Sequence, residues 1–204
     1  MWLNNAPPTL TRWQTGGALH PHGPNIERGS GRAKALAVVR VAFGLLWTFA
    51  AWCKWQPAFQ RSFVDQIAKA QSGQPPLIQS WISWWVHLVS LNPLLFARVE
   101  ALTETALAVC LLLGLLSNLT YVVGILLSLG IWSTAEGFGG PFQAGVTTDL
   151  GTTLPYALLF GTLLILSAGL YYGADRWLTP KLGLLGFLSS GSLPRHSPAG
   201  EFAT

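Results

Sequence analysis

The 204-residue chain is 50% hydrophobic and only 10% charged, with a formal net charge of +4 and a mean hydropathy of +0.42. Charged residues make up about a quarter of a soluble domain, so this composition excludes an ordinary water-soluble fold and predicts an integral membrane protein. No basic cluster with interleaved aromatics occurs, so no nucleic-acid partner is expected; the positive charge lies mostly in the tails and reads as a topology signal.

Residues 1–33 are rich in Pro, Gly, Asn and Arg and show no period, which reads as a polar N-terminal tail. The first apolar run begins near Ala35, later than the core of a secretory signal, and no cleavage site follows it. His20 and His22 form an HxH pair, but two flexible ligands do not make a metal site, and no metal is expected. Such a tail has too little apolar surface to order alone, so an ordered tail calls for a protein partner.

Helix one is predicted over about Lys34 to Cys53, close to the roughly 20 residues that a bilayer requires. Gly44 permits close helix approach, and Trp47, Trp52, Lys54 and Trp55 mark an interface. Residues 56–76 then alternate at helical spacing, with Phe59, Phe63 and Ile67 set against Arg61, Asp65 and Lys69, as an interfacial helix does. The stretch LIQSWISWWVHLVSLNP is short for a span and holds Trp81, Trp84, Trp85 and His87; it reads as an amphipathic or re-entrant segment. Asn92-Pro93 launches helix two.

Phe96 to Leu116 is long enough to span but carries Arg98, Glu100 and Glu104. An ionised side chain in hydrocarbon costs roughly 2.5 kcal/mol or more, so such residues face a protein interior or a water cavity and are paired. Glu100 and Glu104, four apart, share one helix face. Arg40 is their expected partner: counted from the outer helix ends, its height differs from that of Glu104 by about one helical turn. Two readings stand side by side, a ligand or proton site and a buried ion pair that only fixes packing.

Ser117-Asn118 is a tight hairpin into helix three, about Leu119 to Ala135; the sequon Asn118-Leu119-Thr120 falls inside it and reads as chance. Residues 136–153 form a Gly-rich loop with two acids and no base, a connector rather than a phosphate loop. Helix four is predicted over Leu154 to Tyr172, followed by GADRW and a C-terminal tail over 179–204. Cys53 and Cys110 fall at different depths, farther apart than the ~7 Å a disulfide tolerates. The expected fold is therefore all-α: an integral membrane four-helix bundle over 34–178 with an extra amphipathic or re-entrant segment between helices one and two. Arg12, Arg28, Arg32 and Lys34 before the first span, with Arg176, Lys181 and Arg195 after the last, place both termini in the cytoplasm of an inner (plasma) membrane protein. Lys54, Arg98 and Glu100 then sit near the outer surface.

An Arg early in helix one (VVRVAFGLLW), a Lys closing it (AWCKW), a Glu in helix two (ALTETALAVCLLLGLL) and a terminal Gly-x-Asp (YYGADRW) together resemble the DoxX/DoxD family of four-helix membrane proteins. The likeness covers roughly residues 35–178. Its Trp-rich segment is closer to DoxD, the membrane subunit of thiosulfate:quinone oxidoreductase. On this resemblance Arg40, Gly44, Lys54, Glu104, Gly114, Gly173 and Asp175 occupy the family's positions. It implies that Lys54, Arg98 and Arg61 gather a thiosulfate dianion, that quinone enters from lipid as co-substrate, and that Glu104, Glu100 and Arg40 handle protons. No metal or flavin motif is present, and no DoxA-like domain follows, so a partner subunit would be recruited. The other class of function is a non-catalytic accessory subunit of a larger respiratory or photosynthetic membrane complex, contacting its neighbours through the tails and the Trp-rich segment.

Overall fold

A computed structural model describes residues 31–142, 147 and 149–191. Among these the protein is all-helical: α1 (Gly31–Lys54), α2 (Pro57–Lys69), α3 (Pro76–Ser90), α4 (Pro93–Leu113), α5 (Ser117–Ser133), α6 (Thr153–Ile165) and α7 (Asp175–Leu182), with short 3₁₀ turns and no strand. The punctuation is local chemistry. Pro57, Pro76 and Pro93 open α2, α3 and α4, where proline's fixed φ suits a first turn and its missing N–H is not needed. At α4 the Leu95 amide also donates to Asn92 Oδ1 at 3.2 Å.

Two antiparallel pairs make the main body. α1 runs along α4, with Gly44 against Leu112 and Lys54 against Glu100 and Glu104. α5 runs along α6, and Gly124 lies so close to the Phe160 ring that any Cβ there would collide with it. The pairs share one core of Phe43, Trp47, Leu107, Leu111, Tyr121, Phe160 and Leu163. Phe43 meets Phe160 edge-on at a centroid distance of 4.7 Å, the arrangement that ring quadrupoles favour.

A second core forms beside the Lys54 end. Phe63 and Ile67 of α2 close on Ile82 and Val89 of α3 and on Ala97 of α4. Their spacings of four and seven put each pair on one helix face, while Arg61, Asp65 and Lys69 point away, exposed. The amphipathic pattern of residues 56–76 therefore is a helix, and the following Trp-rich stretch is another. The rings of Trp84 and Trp85 meet edge-on at 5.0 Å, with Trp81 and Trp84 exposed.

α1 is long and apolar enough to cross a membrane, while α5 and α6 are shorter apolar helices. α4 has 21 residues but carries Arg98, Glu100 and Glu104. All four expose large apolar side chains: Val38, Leu45 and Phe49 on α1, Leu102 on α4, Leu126 on α5 and Leu158 on α6.

Two boundaries differ from expectation. The last long helix stops at Ile165 rather than Tyr172, because Ser167 turns left-handed (φ 48°) and a 3₁₀ turn, Ala168–Leu170, follows. That break brings Gly169 against the Ser117 side chain at the start of α5. The C-terminal segment is also structured beyond 178. α7 and a 3₁₀ turn over Gly183–Leu188 fold back on the α4–α5 hairpin, where Asn118 Nδ2 donates to the carbonyls of Phe187 and Ser189 at 3.0 and 2.9 Å. Asn118 is thus a hairpin fastener. The tail residues 1–30 and 192–204, with His20, His22, His196 and the expected tail contacts, lie outside the described residues.

Candidate functional site

The buried charged side chains of the main body, Arg40, Glu104 and Asp175, fall in two places, at opposite ends of the α1–α4 pair. At one end Lys54, the last residue of α1, forms an ion pair with Glu100 and approaches Glu104 Oε1 at 3.6 Å. The two carboxylates meet one ammonium because their spacing of four stacks them on the α4 face that α1 covers. Glu104 is the deeper, with its side chain 2% exposed, against 16% for Glu100 and 20% for Lys54. Its second oxygen, Oε2, is buried without a hydrogen-bond donor.

The surroundings hold this cluster in place. Lys54 Nζ stands 4.3 Å from the centre of the Phe59 ring, a cation–π contact. Gln60 Nε2 donates to the Lys54 carbonyl at 2.9 Å, tying the start of α2 to the end of α1. Trp55 Nε1 donates to Thr105 Oγ1 at 3.1 Å, and Thr105 Oγ1 in turn donates to the Ala101 carbonyl at 2.7 Å. A site with two carboxylates and one ammonium is acidic. It attracts protons or cations and repels a dianion, so Lys54 is not a free anion anchor.

Arg98 and Arg61 are exposed and form no ion pair among the described residues. Arg98 lies two residues from Glu100 and therefore off its face. The structure thus brings together Lys54, Glu100 and Glu104 from the expected site residues, and leaves Arg98 and Arg61 apart from them.

Arg40 is elsewhere, and its expected pairing with Glu104 does not occur. Its guanidinium lies against Gly114 and Gly173 at the other end of α4, and Nη2 donates to the Tyr172 carbonyl at 3.2 Å. The reason is register. Lys54 is level with Glu100 and Glu104, so α4 begins about two turns above the end of α1; Arg40, fourteen residues before Lys54, lies about 21 Å down the helix. Counting from the outer helix ends sets the end of α1 level with the start of α4, which the structure does not.

The counter-charge within electrostatic reach of Arg40 is Asp175. Asp175 Oδ2 accepts from the amides of Ser117 at 2.9 Å and Ser190 at 3.1 Å. The amides of Ala174 and Asp175 donate to the carbonyls of Leu113 and Gly114, both at 2.9 Å. One short segment therefore closes the last carbonyls of α4 and places a carboxylate at the first amides of α5, matching the sign of both helix ends. The Gly-x-Asp motif is a clasp on the α4–α5 hairpin.

The Gly-rich loop contains a comparable device. Glu136 accepts from Thr152 Oγ1, from the Thr153 amide at 3.1 Å and from Thr153 Oγ1 at 2.8 Å, so a loop carboxylate caps α6. Buried Gln74 donates to the Gly137 carbonyl at 3.0 Å and ties the α2–α3 connection to the same loop. Cys53 and Cys110 are both free thiols. Among the described residues no group of three or more His, Cys, Asp or Glu side chains is placed to hold a metal. No protein-family model, curated protein or solved structure matches the chain.

Proposed function

We propose that the chain is a four-span integral membrane protein of the DoxX/DoxD type that serves as the membrane subunit of a thiosulfate-to-quinone oxidoreductase, with Glu104 as its proton-exchanging group. The observation that carries this reading is the buried, donor-free Oε2 of Glu104 beside a Lys54 already shared with Glu100. Two carboxylates against one ammonium leave a surplus negative charge, which is costly where water is scarce. A proton on Glu104 removes it. Quinone reduction consumes two electrons and two protons, so an exchangeable proton on a carboxyl beside the last residue of α1 suits that chemistry.

The bilayer reading rests on the exposed apolar side chains of α1, α4, α5 and α6, a surface that hydrocarbon covers without cost. With the basic flanks inside, α2, α3 and the Lys54 cluster face outward and the Asp175 clasp faces the cytoplasm of an inner membrane protein. External thiol labelling of intact cells is then expected at Ser72→Cys and not at Ser30→Cys; the opposite pattern inverts the orientation.

Thiosulfate, a dianion, would be gathered by the exposed Arg98 and Arg61 rather than by Lys54. Two thiosulfates lose one electron each and join through an S–S bond, while quinone takes both electrons; a partner subunit would carry the electrons between them. Thiosulfate-dependent quinone reduction in native membranes tests the reading. Arg98→Ala is expected to raise the thiosulfate KM, and Glu104→Gln to lower kcat about tenfold or more at unchanged protein level. The saturation of Lys54 by carboxylates favours a second reading, an accessory subunit whose charges lock the bundle. In that case neither variant changes quinone reduction, and removing residues 1–30 releases the protein from its complex.

A further inference from the structure

The cytoplasmic-end cluster has no part in the quinone reading, yet it collects the densest set of unsatisfied buried polar atoms among the described residues. Arg40 Nε and Nη1, Tyr121 Oη, Ser117 Oγ and Asp175 Oδ1 are all buried and make no protein hydrogen bond. They come from α1, α5 and the clasp, and they converge: Arg40 and Asp175 both act electrostatically on Tyr121. The Ser117 hydroxyl is a near neighbour of Tyr121 Oη and acts on it. Arg40 is 1% exposed, Tyr121 and Asp175 0%. Leaving a buried polar group unpaired costs about 1–3 kcal/mol, more for a charged one, so five such atoms in one place require an explanation.

We propose that this cluster is an internal binding site for one or two structural water molecules that link Arg40 to Asp175. Three arguments select the occupant. Charge excludes an anion, since the guanidinium and the Asp175 carboxylate already balance. Size excludes anything large. A Cβ placed on Gly173 would stand 2.9 Å from Arg40 Nη1 and 3.1 Å from the Gly114 carbonyl oxygen, and Gly169 lies directly against Ser117. Valence fits water: Nε offers one N–H and Nη1 two, Asp175 Oδ1 only accepts, and the two hydroxyls do either. A buried water typically makes about three hydrogen bonds to otherwise unsatisfied groups, and the unsatisfied atoms here include both donors and acceptors.

Radiolytic hydroxyl footprinting of the intact protein tests the assignment, because radicals generated from a bound water label the side chain beside it even when that side chain is buried. Tyr121 is expected to be oxidised at a rate within a few-fold of the exposed Tyr172, while Phe160, equally buried in the dry part of the same core, is protected. Protection of Tyr121 to the level of Phe160 overturns the site, and so does equal labelling of both buried rings, which marks a generally open core. Ser117→Ala should lower Tyr121 labelling severalfold while leaving Phe160 protected; unchanged Tyr121 labelling in that variant removes Ser117 from the site and with it the convergence argued above. The footprint is independent of any quinone activity.

Discussion

Lys54→Met is expected to be among the most damaging single substitutions in the chain, costing about 3 kcal/mol by denaturation in mixed micelles. It leaves Glu100 and Glu104 side by side with no cation, and Glu104 cannot turn to water because α1 covers it. The sign of the effect is diagnostic. Adding Glu100→Gln and Glu104→Gln to Lys54→Met should recover most of the loss, since three neutral groups of similar size carry no buried charge. Strict additivity of the three losses would mean that the groups do not form a unit.

Gly114→Ala is expected to have an effect of similar size through the backbone. Gly114 caps α4 in the left-handed region at φ 64°, which costs an L-residue roughly 1–2 kcal/mol. The new methyl would also stand 2.7 Å from Gly173 Cα and 2.8 Å from Arg40 Cζ, so the guanidinium or the clasp must give way. A combined loss of about 3 kcal/mol follows. Because the methyl pushes on Arg40 and Gly173, which lead into the clasp, the variant should also expose residues 175–190 to protease, while the α2–α3 unit at the other end stays resistant. A variant as stable and protease-resistant as the parent would remove Gly114 from the clasp.

How the fold reads from the sequence depends on the range of the signal. The start of α4 was legible because Asn92-Pro93 acts on its own turn, and the inward stripe of Phe59, Phe63 and Ile67 because it is a local period; Pro57 and Pro76 open α2 and α3 by the same local chemistry. That Glu100 and Glu104 share a face was legible for the same reason. Their partner was not. Choosing between Lys54 and Arg40 requires the register of α1 against α4, which depends on how far the α3–α4 junction stands above the end of α1, and no residue in either helix encodes that height. The break at Ser167 was hidden as well, since LLFGTLLILSAGLYY holds only Thr162 and Ser167 among apolar residues and no proline marks the stop. Asp175 was visible only through family resemblance; the clasp that it forms is a tertiary fact, made from amides of Ser117 and Ser190 that carry no side-chain signature.

The proton on Glu104 is the point on which the functional account turns, and infrared spectroscopy of the protein in lipid at neutral pH reads it directly. The account predicts a protonated-carboxyl stretching band that is present in the unmodified protein, disappears in Glu104→Gln and persists in Glu100→Gln. Absence of any such band, or its survival in Glu104→Gln, would show that Glu104 does not carry the proton and would contradict a proton-exchanging role for it.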